Sequence, residues 1–341
     1  MREDIKVVIN HFKKLYSNAK TLENSSVEEI VKERRWIVEN YGLIDGKEPV
    51  IDPEIIIKKV NIRGVNCEWI LAPNADKNKR LLFLHGGAFI AGSLDSHRAL
   101  SCELSKRAGV SVLAVDYKLA PENPFPAGLE DCYDVYDWMI ENSIDEKITA
   151  DKVFISGDSA GGNLSLAILF LIRESNLRMP NAVLPISPVL DLFGKSPSVN
   201  NLDGFDPILN KKAFVKGLPL VYLFGKDVLK MNESKFKKIS TVFKIITRKS
   251  KLIKNPLVSP IYGDLKNFPP ILINVGDVEI LRDDSIRFVD KARKEGVKAS
   301  VKVWPNMIHV FVAFLGYLPE AEDCINDMAN FIKLHSWKIY L

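Results

Sequence analysis

Ser159 stands in Gly157-Asp158-Ser159-Ala160-Gly161, a G-x-S-x-G sequence between two apolar stretches, Val153-Phe154-Ile155 and Asn163 to Ile172. The first reads as a short buried strand and the second as a helix that opens on small residues. A serine on such a strand-to-helix turn is pushed out of the sheet into a strained, exposed position, where its hydroxyl is available as a nucleophile. Glycine is needed two residues to either side, because larger side chains there would collide with the neighbouring strand and helix. A Gly-rich turn that only permits close packing is the bland alternative, and it leaves the chain's other chemistry unexplained.

His85-Gly86-Gly87-Ala88 directly follows a second apolar strand, Leu81 to Leu84. Without a Cβ, the Gly86 and Gly87 amides can approach a substrate closely and meet a developing negative charge, as in an oxyanion hole. Alone this would read as a tight turn after a core strand; the serine about seventy residues later changes that reading.

A serine of this kind needs an acid and then a histidine later in the chain. Of the five histidines, only His309 and His335 lie late enough. His335 falls near the end of an apolar-periodic helix, Glu322 to Leu334. His309 follows the alternating strand Ser300 to Trp304 and the turn Pro305-Asn306, at a strand's carboxyl end, where functional residues of open α/β sheets gather. The preceding strand, Pro270 to Val275, leads into Gly276-Asp277-Val278-Glu279, which offers two acids, Asp277 and Glu279. Asp283 and Asp284 read as first-turn acids favoured by the helix macrodipole. Asp158, next to the serine, points away from it and anchors a loop.

Taken together, these residues resemble the hormone-sensitive-lipase-like family of α/β-hydrolase esterases. Four segments carry the likeness: His85 to Ser93 with His97; Asp116-Tyr117-Lys118-Leu119-Ala120-Pro121-Glu122 with Pro124-Phe125-Pro126; Gly157 to Gly162; and Gly276 to Asp284 with His309. They span residues 80 to 310, about two-thirds of the chain. The resemblance implies an α/β-hydrolase fold, a mostly parallel doubly wound sheet of about eight strands with a helical cap. It implies a serine carboxylesterase acting on short- to medium-chain acyl esters through an acyl-enzyme, with no metal and no organic cofactor.

In that family the acid stands two residues before the leucine of a D-x-L-x-D-[DE] pattern. Glu279-Ile280-Leu281-Arg282-Asp283-Asp284 matches it, so Glu279 takes the acid's place where aspartate is commoner, and Asp277 is the fallback. The thirty residues from Glu279 to His309 keep the family's interval. Ala88 replaces the usual third glycine. The resemblance then assigns the oxyanion to the Gly86, Gly87 and Ala160 amides, with His85, His97 and Tyr117 buttressing the loop. It also implies short acyl chains and homodimers through the edge of the last strand. An amide-cleaving deacetylase or peptidase would use the same three residues. A non-catalytic small-molecule-binding relative would have lost one of them, and all three are present.

The elements around these residues fit one hydrolase unit. The 341 residues are 47% hydrophobic and 26% charged, enough for a large core with an attached cap. The expected parts are an N-terminal helical piece of the cap (1–50), a first core block (51–190), a helical cap insertion (191–256) and a second core block (257–341). Residues 1 to about 45 read as helical, with Ser25-Ser26-Val27-Glu28 as a capping box and Gly42 as a stop. Strand-like runs follow at Glu54 to Asn61 and Cys67 to Leu71, then alternating strands and helices. Helix Gly128 to Glu141 carries Leu129, Cys132, Val135, Tyr136 and Met139 on one face, and strand Ala182 to Ile186 ends the first block.

From about Asp191 to Lys254 the alternation breaks. Lys211 to Lys254 holds twelve Lys and one Arg against Asp227 and Glu233, a formal +11 in a chain whose net charge is +4. A solvated helical lid is the simplest reading. Weak contact with anionic membrane surfaces is a second, given the apolar run Leu218 to Phe224, and attraction of acidic substrates a third. Nothing supports nucleic-acid binding. The four cysteines (Cys67, Cys102, Cys132, Cys324) have no paired or ligand-like spacing and read as reduced packing residues. The charged start Met1-Arg2-Glu3-Asp4 and the short Val7-Val8-Ile9 do not make a secretory leader, and no run of eighteen apolar residues occurs. The expectation is a cytoplasmic enzyme whose partner is a small ester substrate.

Overall fold

The computed structural model describes residues 2–17, 26–47, 49–211, 213–226 and 251–336. Its helices are α1 (Glu3–Leu15), α2 (Val27–Glu39), α3 (Leu94–Ala108), α4 (Ala127–Glu141), α5 (Ser159–Glu174), α6 (Pro197–Asn201), α7 (Leu218–Phe224), α8 (Arg282–Lys294) and α9 (Pro319–Leu334). The strands are β1 (Ile56–Ile62), β2 (Val65–Leu71), β3 (Asp76–Leu84), β4 (Val110–Asp116), β5 (Lys152–Asp158), β6 (Ala182–Ile186), β7 (Ile271–Gly276) and β8 (Ala299–Trp304). They form one sheet in the order β1-β2-β4-β3-β5-β6-β7-β8. From β4 to β8 neighbouring strands are parallel, while β2 runs antiparallel to both β1 and β4. The expected mostly parallel, doubly wound sheet is therefore present.

The central strands are buried on both faces, which is why they read as unbroken apolar runs. Period-two alternation still divides them. Leu82 and Leu84 of β3 face the core formed with α4, α5 and α8, whereas Leu81 and Phe83 face the one formed with α3, α9 and α1. All four cysteines are buried and unpaired within these layers.

The N-terminal region is helical as expected, with α1 and α2 among its described residues. The capping box lies one residue later than expected: Ser26 Oγ accepts from the Glu29 amide at 3.2 Å, and the Glu29 carboxylate accepts from the Ser26 amide at 2.8 Å. Ser25 lies outside the described residues. Helix α2 ends with Asn40 at its cap instead of reaching Gly42. Within the expected insertion, Val221, Tyr222 and Leu223 of α7 are buried, and the Tyr222 ring stacks on Phe89 at 3.8 Å. Those three side chains of the apolar run thus pack inward. Much of the basic stretch, residues 227–250, lies outside the described residues. Among the described residues no helix is long and apolar enough to cross a membrane.

Helix α1 docks through Phe12, whose ring meets Tyr41 at 4.8 Å and Phe314 at 5.5 Å between centroids. Phe12→Ala should therefore destabilise the fold by about 3–5 kcal/mol, the range for a fully buried aromatic. Urea unfolding of parent and variant measures this, and a shift below 1 kcal/mol would mean that α1 is not part of the cooperative unit.

Candidate active site

Ser159 is the first residue of α5 and has φ +52°, in the left-handed region. The flanking glycines explain how the chain turns there. A Cβ on Gly157 would lie 2.4 Å from the Leu84 carbonyl oxygen, and one on Gly161 only 1.9 Å from it. The start of α5 therefore sits directly on the end of β3, and this close packing leaves Ser159 strained as expected but buried instead of exposed.

The serine hydroxyl lies 2.9 Å from His309 Nε2, and His309 Nδ1 lies 2.6 Å from Glu279 Oε2. With a carboxylate facing it, Nδ1 carries the proton, which leaves the Nε2 lone pair to accept from the Ser159 hydroxyl. The other oxygen of Glu279 accepts from the Ser187 hydroxyl at 2.6 Å and the Gly276 amide at 2.7 Å. Burial is the largest influence on the His309 imidazole and lowers its pKa. The charge and hydrogen bond of Glu279, helped by Asp206 and Asp158, outweigh it and leave the pKa above the ordinary 6.5.

Of the two acids foreseen in this loop, Glu279 is the one brought to His309. Asp277 makes backbone bonds to the Trp304 carbonyl at 3.1 Å and from Arg282 at 3.1 Å, and its side chain takes no part. Asp283 and Asp284 do more than cap a helix. Asp283 accepts from the Ser198 amide at 2.8 Å, while buried Asp284 bonds Ser196 and Arg287.

The loop after β3 departs from the expectation at Gly86. Its N–H donates to Asp158 Oδ1 at 2.9 Å, so it is committed to the protein and turned from a substrate. The Gly87 and Ala88 amides have no protein acceptor among the described residues. Ala160 lies in the first turn of α5, where backbone N–H groups have no partner within the helix. Gly87 has φ +118°, and a Cβ there would lie 2.1 Å from the Ala91 carbonyl oxygen.

Beneath this loop, Asp158 also faces His97 Nε2 at 3.3 Å. Burial alone would raise the Asp158 pKa, but His97 holds it below the usual carboxylate value. Burial likewise lowers His97, and Asp158 more than compensates, leaving its pKa above the ordinary 6.5. The His85 ring stacks on Tyr117 at 4.3 Å, and the Tyr117 hydroxyl donates to the His85 carbonyl at 2.7 Å. Burial, followed by the neighbouring His97, pushes the His85 imidazole down to about 4, so this ring is neutral.

Two residues of the site had not been singled out. Ser187, at φ +44°, directly follows β6 and bonds both Glu279 and the Val310 amide. The rule that functional groups collect at strand carboxyl ends would have found it. Asp206 accepts from the His309 amide at 2.7 Å and sits in the segment where strand–helix alternation fails, so no periodicity marked it.

A sequence profile described as alpha/beta hydrolase fold matches residues 81–313. An esterase of Acinetobacter venetianus is 34% identical over 280 residues, covering 82% of each chain. An acetyl-hydrolase of Streptomyces hygroscopicus is 32% identical over 274 residues, covering 80% of this chain and 81% of its own. Among solved structures, the crystal structure of an esterase from the bacterial hormone-sensitive lipase family is similar with a TM-score of 0.81 at 29% identity, covering 99% of both chains.

The elbow's tolerance for side chains is testable. Gly161→Ala drives a Cβ into the Leu84 and His85 carbonyls, whereas the nearest atom for Gly162→Ala is the Pro188 side chain at 3.0 Å. Gly161→Ala should cost about 1–3 kcal/mol or more in unfolding free energy, and Gly162→Ala less. Equal stability of the two variants would contradict the close approach of α5 to β3.

Proposed function

This chain belongs to the hormone-sensitive-lipase-like family of α/β hydrolases, and from that membership we propose that it is a serine carboxylesterase acting on short- to medium-chain acyl esters through Ser159, His309 and Glu279. The observation that carries the reading is the unbroken hydrogen-bonded line from the Ser159 hydroxyl through the imidazole to a buried carboxylate. His309 Nε2 removes the serine proton as the oxygen attacks the ester carbonyl. Glu279 holds the ring in the required tautomer and stabilises the imidazolium that forms.

The tetrahedral oxyanion is received by the amides of Gly87, Ala88 and Ala160, since that of Gly86 is engaged with Asp158. Alanine at position 88 is no obstacle, because the group needed is its backbone N–H. Each such donor is worth about 3–4 kcal/mol in the transition state. The imidazolium then protonates the departing alcohol, and His309 activates a water that releases the acid from the acyl-enzyme. We assign the described parts of 1–50 and 191–256 to a cap over a core of 51–190 and 257–341. The short-chain preference is supported by the relative named as an acetyl-hydrolase. The same triad would cleave amides, and the names of the relatives favour esters.

p-Nitrophenyl esters of rising acyl length, with p-nitroanilides as the amide control, test the substrate class. Butyrate-length esters should turn over much faster than long-chain esters and anilides; a preference for anilides would replace the reading with an amidase. Ser159→Ala should lower kcat by roughly four orders of magnitude or more and abolish labelling by a fluorophosphonate.

Glu279→Gln should lower kcat by about 10²–10⁴-fold with KM little changed, and Asp277→Asn by only a few-fold. The reverse ranking would move the acid to Asp277. His309 must be neutral to act, and its raised pKa moves the acid limb upward. The kcat/KM profile should thus fall on acidification with an apparent pKa above 6.5. A limb at or below that value would mean that Glu279 is not charged beside the ring.

A further inference from the structure

We propose that Asp206 and Tyr41 are positioning residues that hold the catalytic base by its backbone, Asp206 also placing a second negative charge behind the imidazole; the inference rests on the Ser159–His309–Glu279 reading above. The side-chain bonds of His309 fix the ring's orientation, but the distance from Nε2 to the serine depends on where peptide 309 itself lies. That segment is strained. Val310, a β-branched residue, has φ +51°, a conformation such residues avoid without outside restraint.

The restraint comes from three side chains. The His309 N–H donates to Asp206 Oδ2 at 2.7 Å, the His309 carbonyl accepts from the Tyr41 hydroxyl at 3.3 Å, and the Val310 N–H donates to Ser187 Oγ at 3.2 Å. Ser187 directly follows β6 of the sheet. Tyr41 follows α2 and Asp206 follows α6, both within the segments assigned to the cap. The two cap segments therefore hold the two peptide groups that flank the His309 Cα, one each, and the base is in place only when both are docked.

Asp206 is buried, and its other oxygen accepts from the Ile208 amide at 2.8 Å. The titratable groups facing it are His309, Glu279, Tyr41 and Tyr16, with Arg34 stacked over the Tyr16 ring. Burial pushes its carboxyl up to about 6, against the pull of His309, so it is charged where the base works. In that form it joins Glu279 in favouring the imidazolium.

Asp206→Asn keeps the shape and one acceptor oxygen but removes the charge; Asp206→Ala removes both; Tyr41→Phe removes only the hydroxyl bond. With p-nitrophenyl butyrate, Asp206→Asn should lower kcat about 10-fold with KM unchanged and move the acid limb to lower pH, because the imidazolium loses a stabilising charge. Asp206→Ala should lose more, and Tyr41→Phe should lower kcat several-fold without moving the limb. Circular dichroism and thermal unfolding check that each variant is folded. Parent-like kcat and an unmoved limb in folded Asp206→Asn, or a loss confined to KM, would overturn the proposal. If neither Asp206 variant folds, Tyr41→Phe decides, and a parent-like kcat there overturns it. Ser159→Ala separates the two readings: activity surviving it removes the triad and this inference together, whereas a dead Ser159→Ala beside a parent-like Asp206→Asn removes the inference alone.

Discussion

A carboxylate wholly withdrawn from water organises the carboxyl end of this sheet. Burying an ion costs several kcal/mol unless its lone pairs are satisfied. Glu279 meets that cost with donors from three places: the Ser187 hydroxyl at the end of β6, the Gly276 amide at the end of β7, and His309 Nδ1 in the loop after β8. The charge therefore ties three strand ends into one unit. Glycine at 276 is part of the arrangement, because a Cβ there would lie 2.1 Å from the Met307 carbonyl oxygen and push away the segment that carries the histidine.

A second buried carboxylate does the corresponding work on the other side of the serine. Asp158 draws the Gly86 amide and His97 inward, while the Gly87 and Ala88 amides keep no protein acceptor among the described residues. The backbone is strained all round this point: Ala88, Phe89, Ser159, Ser187 and Val310 all have positive φ. Each such residue costs of order 1–3 kcal/mol, so the conformations persist only because the buried bonds around them outweigh that cost. Strain and buried charge thus sit together, and each depends on the same close-packed sheet beneath.

How much of this was legible in the sequence follows from the range over which each signal acts. Apolar periodicity and strand-end position are local, and they led to Ser159, His309, the Asp277/Glu279 pair and the doubly wound sheet. Ser187 carries the same strand-end signal, yet a lone serine before a proline lacks a motif to set it apart. The direction of the Gly86 amide is set by a side chain 72 residues away, which no loop pattern encodes. The paired Ser25-Ser26 and Glu28-Glu29 allow two registers for one capping box, and only the packing of α2 chooses between them. Asp206 lies where periodicity ends, so nothing local distinguished it from other loop aspartates.

The same buried groups set how the stability of the fold varies with pH. His309 and His97 are raised above 6.5, so the stability they contribute is complete below that pH and is lost as pH rises through their folded values. Asp284, raised from 3.8 to about 7 chiefly by burial, holds its proton in the folded state while the unfolded chain has released it, so stability also falls as pH rises across that interval. Asp206, raised to about 6, acts in the same direction. His85 opposes them: its folded value near 4 means that the unfolded chain binds more protons up to 6.5, and stability rises with pH there. Above 6.5 that contribution is complete, and His309, His97 and the last part of the Asp284 titration remain, all falling. This is also the interval in which His309 gives up its extra proton, so the Nε2 atom facing the Ser159 hydroxyl becomes free to accept a hydrogen bond as the fold loses the stability of holding the ring charged.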